Sequence, residues 1–359
     1  TPEEILELDE YCYNRFIDLL PSLATFGHLF TLLQSDRYYE ISELGRHKMT
    51  RNYWLERQWH HTVDVYNPKT IQVIGSMLEQ YIPLFRSKYF NICCDETLDL
   101  CSGKNQGKDK GDAYFHHLDK LIEIVKFQGK TPMIWGDECM ARPETAKERV
   151  PKDTIILNWC YHKNVGEWIP KFYYDLGFQQ IVCPGTSCWD NFVENVDIST
   201  GNISAFAAHA KKYGALGILN TNWGDFGHIC PFNCNLYGAL FGAQKSWNTD
   251  APTDTAFETA ATMLMYGIKD YNITDVLRKL SKASSSCSWS NFVIWHSANT
   301  LEGKNEKLRL HDNEDYDPQE GINALKLCRQ AIDEMMTLTA KDRRINDLIL
   351  AAKGIALMN

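Results

Sequence analysis

The chain has 359 residues, 44% of them hydrophobic, with 37 basic and 46 acidic side chains and a net charge of −9. Such a chain is long enough for one large domain with a smaller companion and too apolar to stay disordered. It contains no run of 18 apolar residues to span a membrane, and an acidic balance without a basic stripe argues against a nucleic-acid partner.

Thr1-Pro2-Glu3-Glu4 opens a helix, with Thr as N-cap, Pro at the first helical position and Glu placed to close a capping box. Ile5, Leu8, Cys12 and Phe16 follow at helical spacing. Apolar runs then alternate with helical stretches. Strands are expected at 17–25, 62–66, 89–94, 132–135, 154–159, 180–184 and 216–221. The clearest helix is 71–85, introduced by Asn67-Pro68, with Ile71, Ile74, Leu78, Tyr81 and Phe85 on one side. Strands separated by crossover helices imply a parallel sheet. The opening helix precedes the first expected strand, so the expectation is an α/β TIM (β/α)8-type barrel missing its first strand. An open doubly wound sheet is the rival, but no strand is followed by a Gly-rich phosphate loop. Beyond residue 245 the alternation stops. Helices are expected at 250–283 and 318–358, separated by a Ser-rich stretch (284–290) and a charged one (303–317). The expected division is therefore 1–245, an N-terminally incomplete barrel, and 246–359, a helical region without recognisable chemistry.

The twelve cysteines sit largely inside apolar runs, and no C-x-x-C occurs. Cys93 and Cys94, on a strand, would face opposite ways, and Cys230/Cys234 has poor zinc-ligand spacing. They read as reduced thiols used as small hydrophobes, with no metal or cofactor, in a reducing compartment and hence the cytoplasm. Oligomeric state is not legible.

Barrel enzymes carry their chemistry at the C-terminal ends of strands. Here those ends read Thr25-Phe26-Gly27-His28, Cys94-Asp95-Glu96-Thr97, Trp135-Gly136-Asp137-Glu138, Asn158-Trp159, Gly185-Thr186-Ser187-Cys188-Trp189 and Asn222-Trp223-Gly224-Asp225. Trp135, Trp159, Trp189 and Trp223 on one rim, with carboxylates around them, suit a sugar. Indole faces stack on the apolar side of a pyranose, and carboxylates accept from its hydroxyls. Asp-Glu pairs also start at Asp9, Asp137 and Asp333. Those at Asp9 and Asp333 fall on helices and read as solvated faces. Asp95-Glu96 follows a buried strand, where a carboxylate pair is costly unless used, and Asp137-Glu138 is the runner-up. His60, His61, His116 and His117 read as structural.

The run Tyr89-Phe90-Asn91-Ile92-Cys93-Cys94-Asp95-Glu96-Thr97 resembles the catalytic Asp-Glu motif of glycoside hydrolase family 20, the β-N-acetylhexosaminidases. Leu23-Ala24-Thr25-Phe26-Gly27-His28 is similar to the family's second-strand Gly-His segment, and Trp223-Gly224-Asp225 to its eighth-strand Trp-x-acidic motif. The segments from Pro184 to Trp189 and from Trp223 to His228 look most like a bacterial exo-acting branch. The resemblance covers roughly 1–245. Two features depart from the family pattern. The first-strand arginine and aspartate have no counterpart, and Cys188-Trp189-Asp190 stands near the place of a Tyr-x-Asp motif.

The family is a recognised substrate-assisted exception to the two-carboxylate scheme. The resemblance implies Glu96 as general acid and then base, its pKa raised beside an ionised Asp95. It implies that the sugar's own 2-acetamido oxygen attacks the anomeric carbon while Asp95 holds the acetamido N–H. Trp135, Trp159, Trp189 and Trp223 would clamp the sugar, Asp225 would accept from its outer hydroxyls, and His28 would hydrogen-bond Glu96. The expected partner is a saccharide with a terminal N-acetylhexosamine. Two competing readings are a glycosidase using Glu96 with Glu138 or Asp225 on sugars lacking the acetamido group, and a non-catalytic sugar-binding barrel.

Overall fold

The computed structural model describes residues 1–46, 54, 57, 60–293, 318–338 and 342–359. The chain divides into two compact units, 1–159 with 168–181 and 160–167 with 182–359. The change of pattern expected at 245 therefore falls inside the second unit.

In the first unit, α1 (Pro2–Tyr13) starts as expected, Thr1 Oγ1 accepting from the Glu4 amide in a capping box. The stripe on α1 is not a core face, however: Leu8 is half exposed and Phe16 fully so. What anchors α1 is Asp9, which is buried and takes the Arg86 guanidinium at 2.8 Å. The solvated reading of Asp9 is corrected on that account. Helix α2 (Pro68–Tyr81) buries Ile74, Gly75 and Leu78 and packs on α3 (Lys110–Phe127). It ends before the expected residue 85 because Pro83 has no N–H to continue it, and a 3₁₀ turn follows.

Strands β1 (Tyr89–Asn91) and β2 (Thr131–Trp135) are parallel neighbours, as are β2 and β3 (Ile155–Trp159). Strand β4 (Gln179–Cys183) is next in sheet order and begins in this unit. Between β2 and β3 lie α4 (Asp137–Ala141) and α5 (Pro143–Arg149), and α6 (Trp168–Asp175) precedes β4. The core of the unit includes Phe26, Phe90, Ile92, Tyr114, Leu118 and Ile134.

Two expected strands are not strands. Segment 17–25 meets β1 through one parallel bridge, Ser22 to Asn91, with the Asn91 amide donating to Pro21 O at 3.0 Å. Pro21 itself has no N–H for a ladder. Segment 62–66 makes one antiparallel bridge, Val63 to Ser42. Strand β1 is also shorter than expected, because Cys93 and Cys94 adopt φ of 61° and 68°. The opposite-faces argument for that pair thus does not apply; all twelve cysteines are nonetheless free thiols.

In the second unit the end of β4 runs beside β5 (Gly217–Ile218), the Leu219 amide donating to Val182 O at 2.9 Å, and a parallel bridge joins Gly185 to Thr221 beyond them. The longer helices among the described residues here are α7 (Val196–Lys212), α8 (Leu236–Trp247), α9 (Thr255–Tyr266), α10 (Ile273–Ser284), α11 (Pro318–Met336) and α12 (Ile345–Met358). Helices α9 to α12 fall within the stretch expected to be helical; the charged stretch, 303–317, lies outside the described residues. Asp333 on α11 is exposed, as expected. No helix among the described residues is long and apolar enough to cross a membrane. The fold class is that of a partial parallel (β/α) barrel with a helical C-terminal region.

Candidate active site

In the first unit, the chain leaving β1 is held in an unusual path. Cys93, Cys94 and Glu96 all have left-handed backbones, each costing about 1–2 kcal/mol for a residue with a Cβ. Hydrogen bonds hold them there. The Trp135 amide donates to Cys93 O at 3.0 Å, and the buried Tyr114 hydroxyl donates to Cys94 O at 2.9 Å. Thr25 Oγ1 donates to Ile92 O at 2.7 Å, and the buried His117 ring meets Thr25 O at 3.1 Å. Burial of that ring pushes His117 down to about 4, in keeping with its structural reading.

This path brings His28, Asp95 and Glu96 together. His28 Nε2 lies 3.2 Å from Asp95 Oδ2 and 3.6 Å from Glu96 Oε2. The imidazole expected on Glu96 is thus nearer Asp95, and the bond to Asp95 raises the His28 pKa. Glu96 is 48% exposed and Asp95 only 17%. Asp95 Oδ1 is buried with no hydrogen-bond partner among the described residues, an arrangement costing about 1–3 kcal/mol until a donor arrives. Donor atoms of the three side chains lie within 4.8 Å of one another, so one cation could bridge them.

Against His28 sits His61, one of the histidines that read as structural in the sequence. Its Nδ1 accepts from the His28 amide at 2.7 Å, and the two rings stack at 5.1 Å. Gly27 permits this approach: a Cβ there would stand 2.8 Å from Asp95 O.

The runner-up pair is already engaged. Asp137 Oδ2 accepts from the Glu96 amide at 3.0 Å. Glu138 pairs with Arg142, and Thr97 Oγ1 reaches it at 3.5 Å. Burial, followed by the charges of Asp95 and Glu138, pushes Asp137 up to about 7. Its unfolded-state pKa is near 3.9. Between about pH 4 and 7 the native state therefore holds a proton that the unfolded state releases, and stability falls as pH rises through that window. Asp137→Asn keeps an acceptor for the Glu96 amide and removes the titration. The expected result is a variant whose Tm exceeds that of the wild type at pH 8 and converges on it toward pH 4. Thermal melts across that range check this, and a Tm difference independent of pH would contradict it.

In the second unit a different group assembles. Trp223 Nε1 donates to Tyr161 Oη at 2.7 Å, and the Tyr161 ring meets Trp189 edge-on at 4.8 Å. Gly185 makes room, since a Cβ there would lie 2.8 Å from the Trp189 ring. Asn222 Oδ1 fixes the start of the Trp223 segment, accepting from Thr186 Oγ1 at 2.8 Å and from the buried Cys188 thiol at 2.5 Å. Cys188 is thus a support beneath the rim and not a surface ligand. Asp225 is exposed at the head of a short turn.

The catalytic-domain model of glycosyl hydrolase family 20 matches residues 1–224. The chain belongs to glycoside hydrolase family 20. This family 20 chain is 21% identical over 324 residues to the lacto-N-biosidase of Bifidobacterium bifidum, covering 86% of this chain and 25% of that protein. It is 22% identical over 173 residues to human hexosaminidase D, covering 45% and 33%. The chain therefore spans less than half the length of the curated relatives it matches, from 18% to 46%. Among solved structures it resembles Flavobacterium johnsoniae chitobiase, with a TM-score of 0.57, 16% identity, and coverage of 99% of this chain and 61% of that one. The β-N-acetylhexosaminidase of Bacteroides fragilis gives a TM-score of 0.57 at 14% identity, covering 75% and 57%. These likenesses bear on fold.

Of the residues singled out in this family 20 chain, the first unit gathers His28, Asp95 and Glu96. Trp135 ends β2 and is buried, while Trp159 ends β3 and is half-buried. The second unit gathers Trp189 and Trp223 through Tyr161. Tyr161 is not among the expected site residues; the signal for it in the sequence is an aromatic two positions after Trp159, just past a strand end.

Proposed function

We propose that the chain is a β-N-acetylhexosaminidase, removing terminal β-linked N-acetylhexosamine with retention and by substrate assistance. The observation that carries this reading is the state of Asp95: one carboxylate oxygen is bonded to His28, and the other is buried with no donor among the described residues. A carboxylate so placed is suited to hold an N–H, and a 2-acetamido group brings one. Glu96, more exposed beside it, protonates the glycosidic oxygen and later takes a proton from water. Asp95 orients the acetamido group and stabilises the positive charge that develops on it as its carbonyl oxygen attacks the anomeric carbon. The attack breaks the glycosidic bond and forms an oxazolinium-like intermediate, which water opens to the hemiacetal. His28 holds Asp95. Within the first unit Trp159, half-buried at the end of β3, is a proposed sugar-binding ring; within the second, Trp189 and Trp223 are proposed sugar-binding rings and Asp225 an acceptor for sugar hydroxyls.

The two-carboxylate reading is less well supported. Glu138, one of the two partners that reading offers Glu96, is tied to Arg142. Substrates in which fluorine progressively replaces the acetamido methyl hydrogens test the proposal. Fluorine weakens the carbonyl oxygen as a nucleophile, so kcat falls steadily along the series. A flat series would mean that the acetamido group does not attack.

A further inference from the structure

The Ser-rich stretch, which sequence reasoning left without chemistry, lies against two rim segments of the second unit. The amide of Trp289 donates to Asp190 O at 3.1 Å. The Asp190 carboxylate accepts from the Ser290 amide and, at 2.6 Å, from the Ser290 hydroxyl. Asp190 is itself left-handed, with φ of 60°. The indole of Trp289 then crosses to the Asp225 turn, Nε1 donating to Phe226 O at 2.9 Å, and its ring packs on Phe192 at 5.7 Å. Phe226, Gly227 and His228 have φ of 50°, 93° and 55°. Three successive left-handed residues, two carrying a Cβ, need fixed partners to persist. One such partner comes from a residue 63 positions away.

We infer that the turn around Trp289 is a strut for substrate binding: Asp190 anchors it, and Trp289 sets the position of Asp225 through the carbonyl of Phe226. Asp190 is then a positioning residue committed to Ser290, not a ligand for sugar. The functional half of this inference rests on the reading of Asp225 as an acceptor for the sugar's outer hydroxyls.

Two measurements on the full chain test it. Trp289→Phe keeps a ring against Phe192 and removes the N–H; Trp289→Ala removes both. Hydrogen–deuterium exchange of the 222–229 backbone, without substrate, is expected to quicken about threefold to tenfold in Trp289→Phe, the scale of one lost hydrogen bond, and more in Trp289→Ala. On an aryl β-N-acetylglucosaminide, KM is expected to rise by a similar factor with kcat within about twofold. Asp190→Asn should show the same pattern. Unchanged exchange in both Trp289 variants would overturn the strut, and faster exchange with unchanged KM would overturn its role in binding. A wild-type chain that cleaves no acetamido sugar, with the exchange response intact, would overturn the hexosaminidase reading and leave the strut standing.

Discussion

Glu96→Gln lowers kcat/KM on β-N-acetylglucosaminides by about 10²–10⁴-fold, the scale of one lost general acid. The loss depends on the aglycone. A nitrophenolate leaves without much protonation, so the penalty is smallest there and grows as the leaving group becomes more basic, being largest for a disaccharide. Folding is expected to survive, because Glu96 is 48% exposed and its backbone amide, held by Asp137, is untouched by the substitution. Steady-state rates across aryl aglycones of graded acidity, with a melting curve for each protein, check this. A variant with wild-type rates on every aglycone would remove Glu96 from the mechanism and direct attention to Asp137 and Glu138.

Asp95→Asn is expected to cost about 10²–10³-fold in kcat, the range seen when one preorganised electrostatic group is lost, with a different signature. Asparagine can still accept an N–H, but it carries no charge to balance the developing oxazolinium ion, and its amide reorients against His28 Nε2, now 3.2 Å from the carboxylate. The loss should therefore be nearly independent of leaving group, since it arises from the attack and not from protonation. Its second consequence is at His28, whose pKa is raised first of all by the bond to Asp95. In the variant it should fall, as an NMR titration of the imidazole would show. A loss that grows with aglycone basicity would exchange the roles given to Asp95 and Glu96.

Much of this site is legible in the chain because its signals are local. Thr1 to Glu4 form a capping box from side chains three residues apart. Asp95-Glu96 stands out because a carboxylate pair directly after a buried strand is costly without a use. What stays hidden depends on long-range partners or on backbone conformation. Asp9 reads as solvated until Arg86 arrives from 77 positions away. Asp137 gains its setting from the amide of Glu96, which reaches it from a left-handed backbone that no pattern of apolar residues announces. Strand β1 is shortened by Cys93 and Cys94, two residues that strand periodicity admits without objection. His61 reads as structural from its strand-entry setting, and its bond to the backbone N–H of His28 forms between segments 33 positions apart. The Ser-rich turn looks like a linker because its bonding to Asp190 and Phe226 comes from separate rim segments. The parallel α/β pattern follows from alternation, and the lack of a Gly-rich phosphate loop favours a barrel over a doubly wound sheet; the number of full strands does not follow, since single bridges at Ser22 and Val63 stand where longer apolar runs invite ladders.

The central claim is that the substrate's acetamido group takes part in its own cleavage. It is tested most directly by p-nitrophenol release from the β-N-acetylglucosaminide and the plain β-glucoside, side by side at equal concentration. The account predicts release from the acetamido sugar and essentially none from the glucoside, because the glucoside brings neither a nucleophile nor an N–H for Asp95. Equal release from both would contradict it and favour a mechanism in which two protein carboxylates do the work.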